Sequence, residues 1–348
     1  MVCGVYSATW HCMAWQETSI SQKYSWLPTH RPLIFSKQHI PCTYTQYSEH
    51  ISAAETTPHH PPTMSHYRSA PILPGVAFIT GGARGLGLAI AQSFAKEGAR
   101  GVVLFDIQPS DTMAAARASV EQFLIPSGKC VTIHGDVTQE SALEGAMETV
   151  LREFGRLDYA ANFAGVVGPL GVTWETGVEE WKRVIEVNTV GVWLSMRAEL
   201  RVMLKQEGIA GVETGRVEQR GAIVNCASVN SIQGGAGTTG YTASKHAVLG
   251  MTKSAALEAR GEGVRVNCVS PGFLLTKLLE PAMKVAEGET TAKLTGDAWE
   301  MYERRQGRKA SFEEVGDVVA LLCSPRMSLV VGANLSIDNG FTINENPT

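Results

Sequence analysis

Two ionisable side chains, one helical turn apart, indicate acid–base chemistry in the second half of the chain. Tyr241 and Lys245 lie four positions apart in the segment YTASK, so on a helix both side chains share one face. A phenol ionises near pH ~10 in water and is a poor base at neutral pH, but a nearby ammonium group favours the phenolate. The pair fits a general acid–base group. The same spacing also occurs where the tyrosine is an ordinary surface residue.

A hydroxyl group precedes this pair. Ser228 lies thirteen residues before Tyr241 and just after the strand-like segment 222–226. A hydroxyl at the end of a strand can hold a substrate oxygen while the tyrosine exchanges its proton. The alternative is that Ser228 only caps a turn. Together the three residues predict an acid–base site that holds a substrate oxygen.

A glycine-rich turn indicates where a cofactor binds. Residues 80–87 read TGGARGLG and connect a strand-like segment to a helix-like one. Glycines let the pyrophosphate of a dinucleotide approach the backbone, and the next helix offers free N–H groups and the positive end of its dipole. We therefore expect a dinucleotide at this turn, the alternative being a merely tight connection. The expected contacts are Gly81, Arg84, Gly85, Leu86 and Gly87.

Asp106 indicates which dinucleotide is preferred. It ends the second strand-like segment, nineteen residues after Gly87, where an acidic residue hydrogen-bonds the ribose hydroxyls of NAD. Its charge would repel the 2′-phosphate of NADP, so NAD is the predicted cofactor. Arg84 favours NADP instead, because a guanidinium in the glycine turn could bind that phosphate. A third reading is that Asp106 only begins a loop.

Alternating elements must position these residues. Apolar segments typical of strands occur at 75–80, 101–105, 131–134, 157–162, 222–226, 264–269 and 334–337. Helical spacing occurs at 86–97, 141–154, 178–205, 241–258 and 312–322. Strands that alternate with helices predict a Rossmann-type α/β fold, a doubly wound parallel sheet in three α/β/α layers within a single domain.

Composition divides the chain into two parts. Residues 1–72 hold seven of the nine histidines and show neither helical nor strand periodicity, which predicts a flexible, disordered extension without a core of its own. Residues 73–348 form the predicted NAD(P)-binding domain. The histidine spacings are irregular and do not indicate a metal site. Met64 is an alternative start that would remove most of the extension.

The composition of the whole chain narrows the classes of function. With 348 residues, 44% of them hydrophobic, the chain can bury a large core. A net charge of −4 without a basic run argues against a nucleic-acid partner. No apolar stretch approaches the ~20 residues of a membrane span, so no membrane partner is expected. Seven scattered cysteines favour a reducing compartment such as the cytoplasm.

From about residue 75 to 343, these motifs in this order resemble the short-chain dehydrogenase/reductase family, in its single-domain, non-extended branch. The resemblance rests on TGGARGLG at 80–87, NFAG at 162–165, VNT at 187–189, Ser228, YTASK at 241–245, PG at 271–272 and DNG at 338–340. It implies that Ser228, Tyr241, Lys245 and Asn188 are catalytic, with Asn188 holding a proton-relay water. It also implies further cofactor contacts, namely Tyr241, Lys245, Asp136, Val137, Asn162, Ala164, Gly165, Pro271, Gly272 and Thr276.

Two positions depart from the family pattern. Phe163 replaces the second asparagine of an Asn-Asn-Ala-Gly motif, which puts the hydrogen bonding of that turn in doubt. Asn339 replaces a glycine, and asparagine tolerates left-handed backbone well.

The resemblance implies an oxidoreductase that transfers a hydride between NAD(H) and a secondary alcohol or ketone. The segment where the family has its substrate lid is mostly apolar, which favours a bulky hydrophobic substrate such as a polycyclic, terpenoid, steroid-like or polyketide compound. Its apolar residues are Phe273, Leu274, Leu275, Leu278, Leu279, Pro281, Met283, Trp299 and Met301. The alternative is that these residues only pack a pair of helices. Two rivals stay open: an NADPH-dependent ketone reductase on the same fold, and a non-catalytic dinucleotide-binding protein.

The resemblance also implies a homodimer or homotetramer built on the helices at 178–205 and 241–258. Apolar residues surround more of the first helix than one sheet face needs: Trp181, Val184, Val187, Val192 and Leu200. Small or flexible residues in the second helix suit close helix packing: Ala247, Val248, Met251, Ala255 and Ala256. The alternative is that the N-terminal extension covers this surface in a monomer.

Overall fold

The computed structural model of the chain describes residues 71–209, 218–274 and 302–343. These residues all fall within one unit, Pro62–Thr348. Met64, Thr276, the predicted lid residues beyond Leu274 and all but the last two residues of the predicted extension lie outside the described residues.

Seven parallel strands form a single sheet in the order β3-β2-β1-β4-β5-β6-β7. The strands are β1 Val76–Thr80, β2 Gly101–Asp106, β3 Lys129–His134, β4 Tyr159–Asn162, β5 Gly221–Cys226, β6 Val264–Pro271 and β7 Asn334–Ile337. The chain starts at the centre of the sheet, runs outward to β3 and then returns to place β4 beside β1. This reversal leaves a crevice at the carboxyl ends of β1 and β4, where open α/β sheets bind their ligands.

Helices cover both faces of the sheet, as the sequence predicts. They are α1 Gly85–Lys96, α2 Ser110–Glu121, α3 Glu140–Phe154, α4 Val178–Ile185, α5 Gly191–Met203, α6 Thr239–Ala259 and α7 Phe312–Cys323. Side chains alternate along β1, so Ala77 and Ile79 pack with α1, α2 and α7, whereas Val76 and Phe78 pack with α3, α5 and α6. The result is the predicted three-layer α/β/α Rossmann-type fold.

Two elements differ from the sequence prediction. The pattern gives no element between β2 and β3, but α2 lies there and buries only Met113, Ala116 and Val120. Since its other apolar residues are exposed alanines, the helical periodicity is weak. The single helix expected at 178–205 is interrupted by a π-helical turn at Glu186–Val190, and α5 ends at Met203.

The apolar residues that the sequence assigned to a subunit interface need a correction. On the first helix, Val184, Val187 and Val192 are buried within this chain. On α6, three of the five, Val248, Ala255 and Ala256, are buried in the same way. These side chains pack within the chain itself, because α5 and α6 cover the sheet and α4 packs against α6. They are therefore not available to a second subunit.

Several classes of site are absent from the part of the chain that the structure describes. No described helix is long and apolar enough to cross a membrane. No three described His, Cys, Asp or Glu side chains come together in a way that could hold a metal ion. Cys130, Cys226, Cys268 and Cys323 are free thiols.

Candidate active site

The residues predicted to do chemistry meet at the carboxyl edge of the sheet. The glycine turn follows β1, Asp106 ends β2, and Ser228 lies two residues beyond β5. Tyr241 and Lys245 lie in the first two turns of α6. In a parallel sheet all these strand ends lie on one side, so the fold brings the cofactor turn and the acid–base pair to one crevice.

The sheet itself holds the ammonium group of Lys245. Its Nζ donates a hydrogen bond to the carbonyl oxygen of Cys226, the last residue of β5, at 2.7 Å. The same Nζ lies 5.5 Å from the centroid of the Tyr241 ring. Lys245 is buried, so its charge acts on Tyr241 with less solvent screening than a surface lysine would provide.

Ser228 caps a turn and still has its proton available. It begins the short 3₁₀ helix Val229–Ser231, and its Oγ accepts a hydrogen bond from the backbone N–H of Asn230 at 3.2 Å. A hydroxyl has one donor and two acceptor sites, so this contact leaves the Ser228 proton free for a substrate oxygen. Ser228 can therefore cap the turn and bind a substrate oxygen at the same time.

Asn188 lies in the π-helical turn and links three parts of the site. Its Oδ1 accepts a hydrogen bond from Val166 N, and its Nδ2 donates to Val166 O, both at 2.8 Å. Nδ2 also donates to Ser244 Oγ at 3.1 Å, and that hydroxyl donates to Tyr241 O at 2.7 Å. Because Asn188 is fully buried, its side chain fixes the loop after β4 against the start of α6. The π-turn, a feature often found at functional sites, brings it there.

The glycine turn has the shape and the open N–H groups that a pyrophosphate needs. Gly81 and Gly85 have φ values of 68° and 55°, a left-handed backbone that favours glycine. A Cβ at Gly81 would lie 2.9 Å from the Ala164 backbone, whereas Gly85 faces open space. No side chain caps α1, and its first turn holds no acidic residue. The backbone N–H groups in the first turn of α1 are therefore free to bind an anion.

Asp106 stabilises the glycine turn by a hydrogen bond. Its Oδ2 accepts a hydrogen bond from Ala83 N at 2.9 Å, and its Oδ1 accepts one from Gln108 N at 3.2 Å. A carboxylate offers about four lone-pair sites, so two of them are left for a ribose. Arg84 is exposed on the same turn.

Three further predicted cofactor residues lie at the same edge. Asp136 Oδ1 accepts hydrogen bonds from the N–H and the hydroxyl of Thr138, both at 2.9 Å. Val137 is buried and fills the space beside Gly191. Gly272 follows β6, and its N–H donates to Ile337 O at 2.9 Å.

The structure resolves the doubt about Phe163. Its backbone N–H donates to Thr80 Oγ1 at 3.1 Å, and the N–H of Ala164 donates to the same oxygen at 3.3 Å. The Phe163 ring packs against the apolar core. The turn after β4 is thus held by backbone groups, and the missing amide leaves no gap in its hydrogen bonding.

The side chain of Asn162 points into the protein, away from the crevice. Its Nδ2 donates to Glu199 Oε2 and to Asn225 Oδ1, each at 3.0 Å, and the residue is fully buried. Asn225 Nδ2 continues the network to Thr252 Oγ1 at 3.0 Å. Any contact of Asn162 with a cofactor must therefore come from its main chain.

Glu199 is a buried carboxyl group that sequence reasoning missed. Burial raises its pKa to about 8, although the hydrogen bond from Asn162 lowers it in part. Nothing in the sequence separates it from the charged residues Arg197 and Arg201 on the same helix. Its long-range contact with β4 is visible only once the fold is known.

Comparison with known proteins shows relatives along nearly the whole described domain. Residues 81–342 match the family described as Enoyl-(Acyl carrier protein) reductase. The short-chain dehydrogenase fogB of Aspergillus ruber is 38% identical over 275 residues, which cover 77% of this chain and 97% of the relative. (+)-Borneol dehydrogenase 2 of Salvia officinalis is 34% identical and covers 78% and 90%. Cyclohexanol dehydrogenase of an Acinetobacter species is 35% identical and covers 77% and 94%.

Solved structures agree with these relatives. Levodione reductase matches with a TM-score of 0.67 and 32% identity, over 77% of this chain and 97% of that one. An NAD⁺-bound xylitol dehydrogenase matches with a TM-score of 0.67 and 26% identity, over 78% and 100%. Both chains share the Rossmann-type fold described above.

Proposed function

The chain belongs to the short-chain dehydrogenase/reductase family, whose members are oxidoreductases that use nicotinamide dinucleotides, and we propose that it interconverts a bulky hydrophobic secondary alcohol and its ketone with NAD(H). The observation that carries this proposal is the arrangement at the carboxyl edge of the sheet. There the buried ammonium of Lys245 lies beside the Tyr241 ring, and a Ser228 hydroxyl has its proton free.

In the oxidising direction, each residue has one task. Ser228 donates a hydrogen bond to the substrate oxygen and orients it, and Tyr241 accepts the proton of the substrate hydroxyl. The positive charge of Lys245 stabilises the phenolate that Tyr241 needs to act as a base. Asn188 keeps the loop after β4 and the start of α6 in place, and in the family's manner its turn would hold a proton-relay water. A nicotinamide dinucleotide bound in the crevice would supply the hydride acceptor.

The preference for NAD rests on Asp106. Its carboxylate lies at the end of β2, beside the glycine turn, where it would bind the ribose hydroxyls of NAD and repel a 2′-phosphate. The pyrophosphate would bind at the glycine turn and the start of α1. Asp136, Val137, Ala164 and Gly165 would line the rest of the cofactor. Arg84 is the feature that favours the rival, an NADPH-dependent reductase.

An apolar rim supports a hydrophobic substrate. Large apolar side chains are exposed on the loop after β4 and on the segment after Ser228: Leu170, Val172, Trp174 and Ile232. The two segments are joined, because Gly171 N donates to Gly237 O at 3.0 Å and the hydroxyls of Thr173 and Thr239 are 2.6 Å apart. Exposed apolar area beside a catalytic site typically marks ligand binding. The names of the borneol and cyclohexanol dehydrogenases point to cyclic alcohols of this kind.

A substrate panel tests the proposal. Cyclic, terpenoid and steroid-like alcohols and ketones are compared with short polar alcohols, with NAD(H) and NADP(H), by the absorbance of the reduced nicotinamide. We expect turnover with the bulky apolar compounds and NAD(H). Tight binding of NADH without turnover of any compound would favour a non-catalytic dinucleotide-binding protein instead.

A further inference from the structure

A buried glutamine holds the peptide that follows β6. Gln306 Oε1 accepts a hydrogen bond from Phe273 N at 2.8 Å, and its Nε2 donates to Phe273 O at 3.2 Å. The Gln306 side chain is almost completely buried and occupies the space where Gly272 would carry a Cβ. The side-chain amide of Gln306 thus binds both backbone polar groups of Phe273, which lies thirty-three positions earlier in the sequence.

Asn339 holds Gln306 in turn. Its Nδ2 donates to the Gln306 carbonyl oxygen at 2.7 Å. Among the described residues, Asn339 is the only non-glycine with a positive φ, 47°. A glycine would adopt this backbone with less strain, so an asparagine here is explained by what its side chain binds.

Aromatic rings reinforce the same junction. The Phe273 ring stacks on Tyr302, with centroids 3.9 Å apart and planes 7° apart, and it packs against Phe341 at 4.8 Å. Phe341 is itself buried and lies two residues after Asn339. The end of β6, the residues before α7 and the segment after β7 therefore meet at Phe273.

The clamped peptide lies where the reactive end of a dinucleotide belongs. Ser231 Oγ and Ser270 Oγ are 3.0 Å apart, so the end of β6 touches the segment that carries Ser228. A dinucleotide spans the crevice with one half over β1 to β3 and the other over β4 to β6. The half that reacts is the one near Ser228, Tyr241 and β6.

We propose that Gln306 and Asn339 are positioning residues for the nicotinamide end of the cofactor. Asn339 fixes Gln306, and Gln306 fixes the Gly272–Phe273 peptide against which the nicotinamide would lie. This inference rests on the proposed function, because it requires that a nicotinamide dinucleotide binds in the crevice. Neither side chain touches the reacting atoms.

Binding measurements with two ligands test the inference. NADH carries the nicotinamide, and ADP-ribose shares the rest of the molecule but lacks the ring. The dissociation constants of both are measured by titration calorimetry on the full chain, for the wild type, Asn339→Gly and Gln306→Leu. We expect NADH binding to weaken about three- to five-fold in Asn339→Gly; the worth of one hydrogen bond sets the upper limit, because Asn339 acts on the cofactor only through Gln306. ADP-ribose binding should change less than two-fold. Gln306→Leu should show the larger effect on NADH, because it releases Phe273 directly.

A matched control separates positioning from a general loss of stability. Thr342→Val removes the hydrogen bond from Thr342 Oγ1 to Asp338 Oδ2, 2.6 Å long, in the same C-terminal turn but without contact to Gln306. This variant should leave both dissociation constants unchanged. If Gln306→Leu does not fold, Asn339→Gly still decides the question, because Asn339 is exposed and glycine suits its backbone.

Three results would overturn the inference. The first is an Asn339→Gly variant that binds NADH as the wild type does. The second is an equal loss of affinity for NADH and ADP-ribose, which indicates a merely structural role. The third is a wild-type chain that binds neither ligand, which rejects the proposed function first and the inference with it. A bound NADH whose fluorescence emission shifts in Asn339→Gly, but not in Thr342→Val, would support the inference independently.

Discussion

The ammonium of Lys245 donates to the carbonyl oxygen of Cys226 at 2.7 Å, so the end of β5 fixes its position independently of Tyr241. Both residues lie on α6, but the ammonium of Lys245 has a second support at the end of the strand. A change at the tyrosine hydroxyl should leave the lysine where it is. This separation makes the acid–base group testable by a single substitution.

Tyr241→Phe should lower turnover by ~10²–10⁴-fold, the range for a lost acid–base group. The ring and the position of Lys245 are retained, so NADH binding should change little. The measurement is kcat together with the NADH dissociation constant. Tyr159→Phe is the matched control, because it removes a buried phenol hydroxyl at the start of β4, at the opposite end of the strand from the site. Near-normal turnover of Tyr241→Phe would mean that another group is the base.

The second prediction concerns the cofactor. The wild type should have a higher kcat/KM with NAD than with NADP. In Asp106→Asn the difference between these two values should be smaller. Asparagine removes the negative charge but keeps an oxygen that can accept from Ala83 N, whereas alanine would also release the glycine turn. Arg84→Ala is the reciprocal variant: it should lower kcat/KM with NADP and leave kcat/KM with NAD unchanged. Equal or better performance of the wild type with NADP would reject the preference.

Glu199 predicts a pH-dependent stability. Its ordinary pKa of 4.5 is raised to about 8 by burial, so between these values the folded protein keeps a proton that the unfolded chain loses. The contribution is fully present below pH ~4.5 and is lost as the pH rises towards ~8. Relative to Glu199→Gln, the free energy of unfolding of the wild type should fall by up to ~1.4 kcal/mol per pH unit in this window.

Urea unfolding of both proteins across this pH range is the measurement. Glutamine stays neutral at every pH and keeps an oxygen for the Asn162 amide, so groups that titrate elsewhere cancel in the comparison. Parallel curves for the two proteins would mean that Glu199 titrates as an ordinary surface carboxyl group.

Local spacing made much of the site predictable. Tyr241 and Lys245 lie on one face of α6 because they are four residues apart, and Asp106 ends β2 as its place after an apolar run predicts. The glycine turn follows from the steric needs of a pyrophosphate. In each case the signal lies within a few residues of the group that does the chemistry.

Long-range contacts explain what the sequence did not reveal. Gln306 and Glu199 look like ordinary polar residues of helices, and only the packing of distant segments buries them. The π-turn that carries Asn188 has no sequence signal separate from the helix around it. Apolar residues at helical spacing in α4, α5 and α6 predict contact with an apolar surface. The pattern does not show whether that surface is the chain's own core or a second subunit.

The N-terminal extension should be dispensable. A variant that begins at Met64 should keep its melting temperature and turnover, because the described domain starts with residues that it retains. Leu73 is fully buried, and its N–H donates to Glu97 O at 3.2 Å. A variant that begins at Gly75 is the control: it loses Leu73 and should melt at a lower temperature. A clear loss in the Met64 variant would show that residues 1–63 pack on the domain.

The last prediction is a homodimer or homotetramer. The exposed apolar residues on the predicted interface helices include Trp181, Trp193 on α5 and Leu257 on α6, the last two 46% and 62% exposed. Large apolar side chains on neighbouring helices favour burial against a symmetry mate. Size-exclusion chromatography with light scattering should give a dimer or tetramer, and Trp193→Glu should shift it to a smaller species.

Trp174→Glu is the control for this experiment, because Trp174 is 83% exposed but lies on the loop after β4, outside the interface helices. The charge it introduces is the same, yet the assembly should keep its size, since no interface is disturbed. A strictly monomeric wild type at micromolar concentration would reject the oligomer. If the variant that begins at Met64 then assembled while the full chain did not, the extension would be the element that covers the apolar surface, and Trp193→Glu should abolish assembly in the shortened chain.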